Sequence, residues 1–341
     1  VDEALPGDTL TLNPTMFARV NTPLYPIMDN LHMDVHFFAV PVRQLWDNFR
    51  KFCGEQTDPS DSTDYTIPSM TSSSYGEQSI FDYMGLPTKV ANYEHNVLPL
   101  RAYNHIYNEW YRDQNLIDSA TVRTTDGGDV AGDFVIRKRG KRHDYFTSCL
   151  PWPQKGDAVS IPLGTTAPIA FNGGANTGNE LGIHDADNST DVRIGTYNNY
   201  AFAHNSAPDN NLYADLTSAT ASTINELRRS FQIQKLLERD ARTGTRYSEI
   251  VKSHFGVDFL DVTYRPEFLG GTSSPVNFQA VASTNDGTRK IGDLAATGTV
   301  VVQGGGFTKS FTEHCIVLGI ASVRADLTYQ QGLDRMWSRS T

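Results

Sequence analysis

The densest positive charge in the chain is the run Arg137-Lys138-Arg139-Gly140-Lys141-Arg142-His143, and Tyr145 and Phe146 follow it directly. Cations neutralise phosphates and aromatic rings stack on unpaired bases, so the combination suits sequence-tolerant binding of single-stranded nucleic acid. Arg137, Lys138, Arg139, Lys141 and Arg142 are the candidate contacts. A solvated loop or a salt-bridged subunit contact accounts for the same residues, and the sequence leaves both readings open. His32, Asp34 and His36 form a second constellation, since their two-residue spacing puts three metal-binding side chains on one strand face. No fourth ligand stands nearby, so a polar strand face is the simpler reading and neither a metal nor another cofactor is expected.

Signatures of catalysis are missing. There is no Gly-x-Ser-x-Gly elbow, and Gly304-Gly305-Gly306 lacks the Lys and Ser/Thr of a phosphate loop, which leaves a flexible turn between strands. Cys53, Cys149 and Cys315 are odd in number, far apart and without Cys-x-x-Cys spacing, so reduced, buried thiols are expected. No enzyme is indicated. Paired carboxylates for glycoside chemistry are defined by space rather than sequence, which keeps a carbohydrate-binding module or carbohydrate-active enzyme on a β scaffold as the alternative.

The elements that must position these groups are mostly short strands. In 341 residues only 20% are charged, and 27 Gly and 16 Pro punctuate the chain, a pattern of many turns rather than of a helical bundle. Residues 31–37 alternate apolar and polar side chains as a half-buried strand does. Pro41 then starts a helix carrying Val42, Leu45, Trp46, Phe49 and Phe52, with Gly54 at its end. Residues 57–74 have loop composition, a short helix spans 79–84, and Asp126-Gly-Gly-Asp129 marks a turn. Strand-like pieces resume beyond Tyr145, and further strands are expected at 259–264, 276–283, 299–303 and 314–324.

Two helices stand out. In 99–115, Leu100, Tyr103, Ile106, Tyr107 and Trp110 recur at helical spacing, which predicts a buried aromatic face including Trp110. Thr223-Ile-Asn-Glu226 is a capping box, and the residues after it are apolar on two sides, as in a connector buried on both. Its cations are interleaved with acids, so Arg228, Arg229, Arg239 and Arg242 are candidate subunit-interface residues. Between these helices, residues 157–223 carry seven acids (Asp157, Glu180, Asp185, Asp187, Asp191, Asp209, Asp215) against Arg193 alone. That composition reads as an acidic surface excursion. The formal charge of −10 argues against a dedicated nucleic-acid-binding domain. No apolar run approaches the roughly 20 residues that span a bilayer, so no membrane insertion is expected.

Several stretches resemble the major capsid protein of small single-stranded DNA phages, the gokushovirus branch of the Microviridae. They include Asn13-Pro14 to Pro26, Val40-Pro41 with Leu45-Trp46, Arg101-Ala-Tyr-Asn104 to Asn115, Phe231 to Tyr247, Arg265-Pro-Glu-Phe-Leu-Gly-Gly271 and Tyr329-Gln-Gln-Gly-Leu333. The resemblance implies a mainly β fold, an eight-stranded antiparallel jelly roll with long helical and loop insertions. It implies partners too: copies of the chain itself in a small icosahedral shell, a circular single-stranded DNA genome, and a receptor on the host cell surface. It places the protein in the virion, assembled in the host bacterial cytoplasm. It further implies that residues 1–156 and 224–341 form a discontinuous core and that 157–223 form a variable protrusion at the three-fold axes, whose Tyr197, Tyr200, Phe202 and Tyr213 are candidate host contacts. Both ends look cut, which implies that an N-terminal arm and a C-terminal part are missing.

Overall fold

In the computed structural model the described residues are 1–20, 27, 29–152, 154–156, 169–171, 182–185, 190–193, 212–214, 223–258, 264–280, 296–329, 332 and 335–338. The chain divides into two compact units, one of residues 1–148 with 246–341 and one of Cys149–Thr245. Most of 157–223, including Tyr197, Tyr200 and Phe202, lies outside the described residues, as do 259–263.

The first unit is mainly antiparallel β structure. Its strands are β1 (Asp2–Ala4), β2 (Thr9–Leu12), β3 (Thr15–Val20), β4 (Asn30–Pro41), β5 (Ser69–Ser73) and β6 (Ala91–Asn96). In the second unit come β7 (Ile169–Phe171), β8 (Gly182–Asp185), β9 (Thr190–Arg193) and β10 (Leu212–Ala214). The first unit then resumes with β11 (Glu267–Pro275), β12 (Asn277–Ala280), β13 (Ala296–Gln303), β14 (Phe307–Ser310) and β15 (Cys315–Asp326). The largest sheet has the order β1-β15-β4-β11, a three-stranded sheet has the order β12-β13-β3, and the rest are pairs. Among the described residues the strands are thus spread over several small sheets rather than closed into one eight-stranded roll.

β4 organises the unit because both of its faces are covered. Met33, Val35 and Phe37 pack on Val276, Val300 and Val302 of the three-stranded side. The opposite face changes character along the strand. His32, Asp34 and His36 are polar, whereas Phe38 and Val40 join Leu45, Trp46, Leu98, Ile106, Ile316 and Leu318 in the principal core. The alternation read from 31–37 is therefore observed. Among the described residues no group of three or more potential metal ligands gathers, on this strand face or elsewhere.

Pro41 ends β4 instead of opening a regular helix. A 3-10 turn over Val42–Gln44 follows, then α1 (Phe49–Phe52), with Gly54 beyond it at positive φ. α2 (Ile80–Tyr83) is capped by the Ser79 hydroxyl, which accepts from the Asp82 amide. α3 (Leu98–Ile106) widens into a π turn over Tyr107–Tyr111 and stops there, short of the expected Asn115. Leu100 and Tyr107 are buried as expected, but Trp110 is 41% exposed. The wider turn carries its ring to the rim, where it packs on Phe38 and Phe268, donates from Nε1 to the Pro266 carbonyl and lies under the Arg265 guanidinium.

Arg101 of α3 is fully enclosed. Its Nε donates to Asp129 Oδ1 at 3.1 Å, a second donor reaches Asp129 Oδ2, and Nη1 donates to the Leu45 carbonyl at 3.0 Å. Asn104 binds the Thr121 and Asp133 carbonyls, so the loop after α3 is fastened by polar groups that face inward. On the same helix, burial lowers the pKa of the His105 imidazole to about 4, against a smaller opposing effect of a Tyr264 backbone hydrogen bond.

Three further expectations change. Residues 145–152 form turns and bends rather than strands. Of the three cysteines only Cys315 is buried, while Cys53 and Cys149 are exposed. The glycine triplet is a packed turn rather than a loose one: a Cβ on Gly306 would lie 1.7 Å from the Leu12 carbonyl oxygen.

In the second unit, β7 pairs with β10 and β8 with β9. α4 (Ile224–Thr243) begins at the capping box read from sequence, with Thr223 and Glu226 each satisfying the other's amide. It is not buried on two sides. Ala241 is buried and Leu237 half-buried, whereas Ile224, Leu227, Phe231, Ile233 and Leu236 are exposed. α5 (Tyr247–Phe255) returns to the first unit.

Candidate nucleic-acid interface

The basic run is held against the aromatic side of α3 and its π turn by a ladder of tyrosines. The Tyr103 hydroxyl accepts from the Arg137 amide, the Tyr107 hydroxyl donates to the Lys138 carbonyl, and the Tyr111 carbonyl accepts from the Gly140 amide. A Cβ on Gly140 would sit 2.9 Å from that carbonyl, so the close approach requires glycine. Fixed in this way, the segment exposes its side chains unequally. Arg137 and Arg139 turn inward and Lys138, Lys141 and Arg142 turn outward.

The inward pair is engaged by the protein. The Arg137 guanidinium lies over the Tyr107 ring and donates to the Asp133 carbonyl. Arg139 lies over the Tyr111 ring and donates to Asp34 at 2.6 Å and to Ser322 at 3.1 Å. Arg324 donates to the same Asp34 oxygen at 2.9 Å. Burial alone would raise the pKa of the Asp34 carboxyl, but hydrogen bonds from Ser273 and Arg139 and the charges of both arginines outweigh it and hold the group below its usual value. His36 sits beside this cluster with Nδ1 2.8 Å from the Tyr111 hydroxyl, and burial, followed by the Arg139 charge, lowers its pKa. The polar face of β4 therefore anchors the inner half of the run.

The outward half differs. Lys141 is paired with Asp144 and reaches the Tyr329 hydroxyl at 3.2 Å; hydrogen bonds from these two groups lower the pKa of the Asp144 carboxyl, that of Lys141 contributing most. Lys138 and Arg142 are exposed and carry no side-chain hydrogen bond among the described residues. Beside them Tyr145 is 92% exposed and Phe146 62% exposed, and the Phe146 and Tyr329 rings meet at 4.5 Å between centroids. Three rings in contact, Tyr145, Phe146 and Tyr329, with Lys141 over the last of them, thus share the surface of a run that carries two further exposed cations, groups able to hold a phosphate chain and stack its bases. Sequence reasoning found Tyr145 and Phe146 but not Tyr329, which joins them from 183 residues beyond Phe146 (329 minus 146).

The remaining candidates lie elsewhere. Arg228, Arg229, Arg239 and Arg242 are exposed on α4, where Arg242 reaches Glu238 at 3.8 Å. Arg246, by contrast, is bound inside the first unit, near Glu109 at 3.3 Å and Glu249 at 3.0 Å. Of the candidate host contacts only Tyr213 falls among the described residues, in β10.

Over residues 1–341 the chain matches the family described as capsid protein (F protein). It is 47% identical to capsid protein VP1 of Bdellovibrio phage phiMH2K, across 100% of this chain and 68% of that protein. Capsid protein VP1 of Chlamydia phage 1 is 38% identical across 99% of this chain and 70% of its own length. For capsid protein VP1 of Spiroplasma virus 4 the identity is 35%, with 98% and 67% covered.

Proposed function

The chain belongs to the phage capsid protein (F protein) family and is a structural capsid protein, and from that premise we propose that its copies close into a small icosahedral shell around a circular single-stranded DNA genome. The match along the whole chain carries this reading. As a capsid protein it is a virion component that associates with copies of itself, and its role is structural rather than enzymatic. No helix among the described residues is long and apolar enough to cross a membrane. The finer reading adds a jelly-roll core, to which the packing of one face of the β4 sheet on the three-stranded antiparallel sheet lends support, and assembly in the host cytoplasm.

Lys138 and Arg142, with the shelf of Tyr145, Phe146 and Tyr329, are the surface proposed to face the genome. Each phosphate contact on a single strand adds about −0.7 to the slope of log affinity against log salt. Lys138→Gln with Arg142→Gln should therefore flatten that slope by about 1.4 for a single-stranded oligonucleotide and lower the DNA content of assembled shells. An unchanged slope and DNA content would assign the run to subunit contact instead.

Residues 157–223 are proposed as an outward protrusion at the three-fold axes, on the strength of their acidic, aliphatic-poor composition. Replacing Tyr197, Tyr200 and Phe202 by Ser should reduce attachment to host cells at least several-fold, because aromatic side chains carry a large share of the energy of binding surfaces. Shell yield should stay unchanged. Full attachment by the triple variant would remove these residues from the host-contact surface.

A further inference from the structure

Asp144 opens a tight turn just after the basic run, where the Thr147 amide donates to its carbonyl, and its carboxylate is bonded at both oxygens. Oδ1 accepts from the Phe146 amide at 2.9 Å, the Thr147 amide at 2.9 Å and the Thr147 hydroxyl at 3.0 Å, as a short acidic side chain at the start of a turn can. Oδ2 accepts from Lys141 Nζ at 2.5 Å and from the Tyr329 hydroxyl, 185 positions away. Lys141 also donates to the Thr147 hydroxyl at 3.0 Å and to that of Tyr329 at 3.2 Å, so each hydroxyl accepts from the ammonium and donates to the carboxylate. An exposed ion pair alone contributes little. Here it is the point at which the run, the turn and a distant segment meet. It carries two rings that touch, Phe146 through its amide and Tyr329 through its hydroxyl.

This clasp acts on a nucleic acid in two ways. A carboxylate on Lys141 cancels the charge that would otherwise meet a phosphate, a contact that single strands and duplexes would share. Fixed rings serve unpaired bases only, since the base faces of a duplex are already stacked on one another. The first effect lowers affinity for any phosphate chain, and the second raises it for single strands alone. We propose that Asp144 is the positioning residue that makes this surface prefer single-stranded to double-stranded nucleic acid, by holding the Phe146 and Tyr329 rings and by neutralising Lys141. The inference rests on the genome-facing reading of the surface and adds how that surface discriminates between the two forms.

Two conservative variants of the full chain test it, each titrated across a salt series with a dT oligonucleotide and with a duplex of equal length, read by fluorescence anisotropy. Asp144→Asn isolates the charge, because the amide oxygen still accepts from the Phe146 and Thr147 amides while its nitrogen cannot accept from Lys141 or Tyr329. The freed Lys141 should steepen the slope of log affinity against log salt by about 0.9 for the duplex and about 0.7 for the single strand. The ratio of single-strand to duplex affinity at high salt should fall at least about fivefold, the lower end of what one stacked base contributes. Tyr329→Phe keeps the ring and deletes its bond to Asp144, so it should lower the same ratio and leave both slopes as in the wild type. Unchanged melting temperatures separate these effects from misfolding. A wild-type ratio in either variant, or wild-type slopes for Asp144→Asn, would overturn the proposal while leaving the interface in place. A wild-type chain that binds neither oligonucleotide would remove the genome-facing reading, and the role of Asp144 with it.

Discussion

Replacing Arg101 by Met should destabilise the protein by about 3–5 kcal/mol, the loss typical when one partner of a buried ion pair is removed. Both charged side chains are out of contact with water, Arg101 at 0% and Asp129 at 1% exposure. The substitution leaves the Asp129 carboxylate without its counter-charge and the Leu45 carbonyl without the donor that lies 3.0 Å away. Denaturant midpoints would measure the loss. Changing Asp129 to Leu as well should recover much of it, since an apolar pair of similar volume is often tolerated where a single unpaired charge is not. A single variant within about 1 kcal/mol of wild type would mean that water reaches the pair.

A second large effect separates two tryptophans. Trp46→Ala should cost about 3–5 kcal/mol, because its ring is fully enclosed in the principal core and its removal leaves a cavity there. Trp46→Phe should cost less, roughly 1–3 kcal/mol, through the loss of the Nε1 donor to Asp126. Trp110→Ala should stay below about 2 kcal/mol, as its ring is already partly solvated and less apolar area leaves contact with the protein. Equal losses at Trp46 and Trp110 would contradict the placement of the π turn.

The distinction was not legible in sequence, and the reason is geometric. A run of aromatics at helical spacing predicts one continuous stripe, but the extra residue of the π turn rotates everything after Ile106, so Tyr111 is buried and Trp110 is carried to the rim. Local signals were legible where side chain and backbone meet within four residues, as in the Thr223–Glu226 box, the Ser79 cap and the alternation in β4. Strands such as β11 were not. Gly270, Gly271 and Ser273-Ser274-Pro275 read as loop, yet Gly271 lies where a Cβ would come within 2.7 Å of the Val35 carbonyl oxygen, so the strand needs the residue that hides it. The basic run shows the same limit: sequence identified the cations, but the division into inner and outer members depends on Asp34, 105 positions away from Arg139.

The principal sheet has a consequence for synthesis. Among the described residues β4 finds its strand neighbours in β11 and β15, and Asp2 of β1 pairs with Val317. At about 5–20 residues per second, a ribosome delivers the partner of β1 roughly 15–60 s after β1 itself. Until β11 is made the central strand has two open edges on a nascent chain, and until β15 is made it has one, where it can pair with the same strand of a neighbouring polypeptide. Slowing translation through residues 41–315 lengthens that exposure, so the yield of folded subunit depends on elongation rate as well as on the stability of the finished fold.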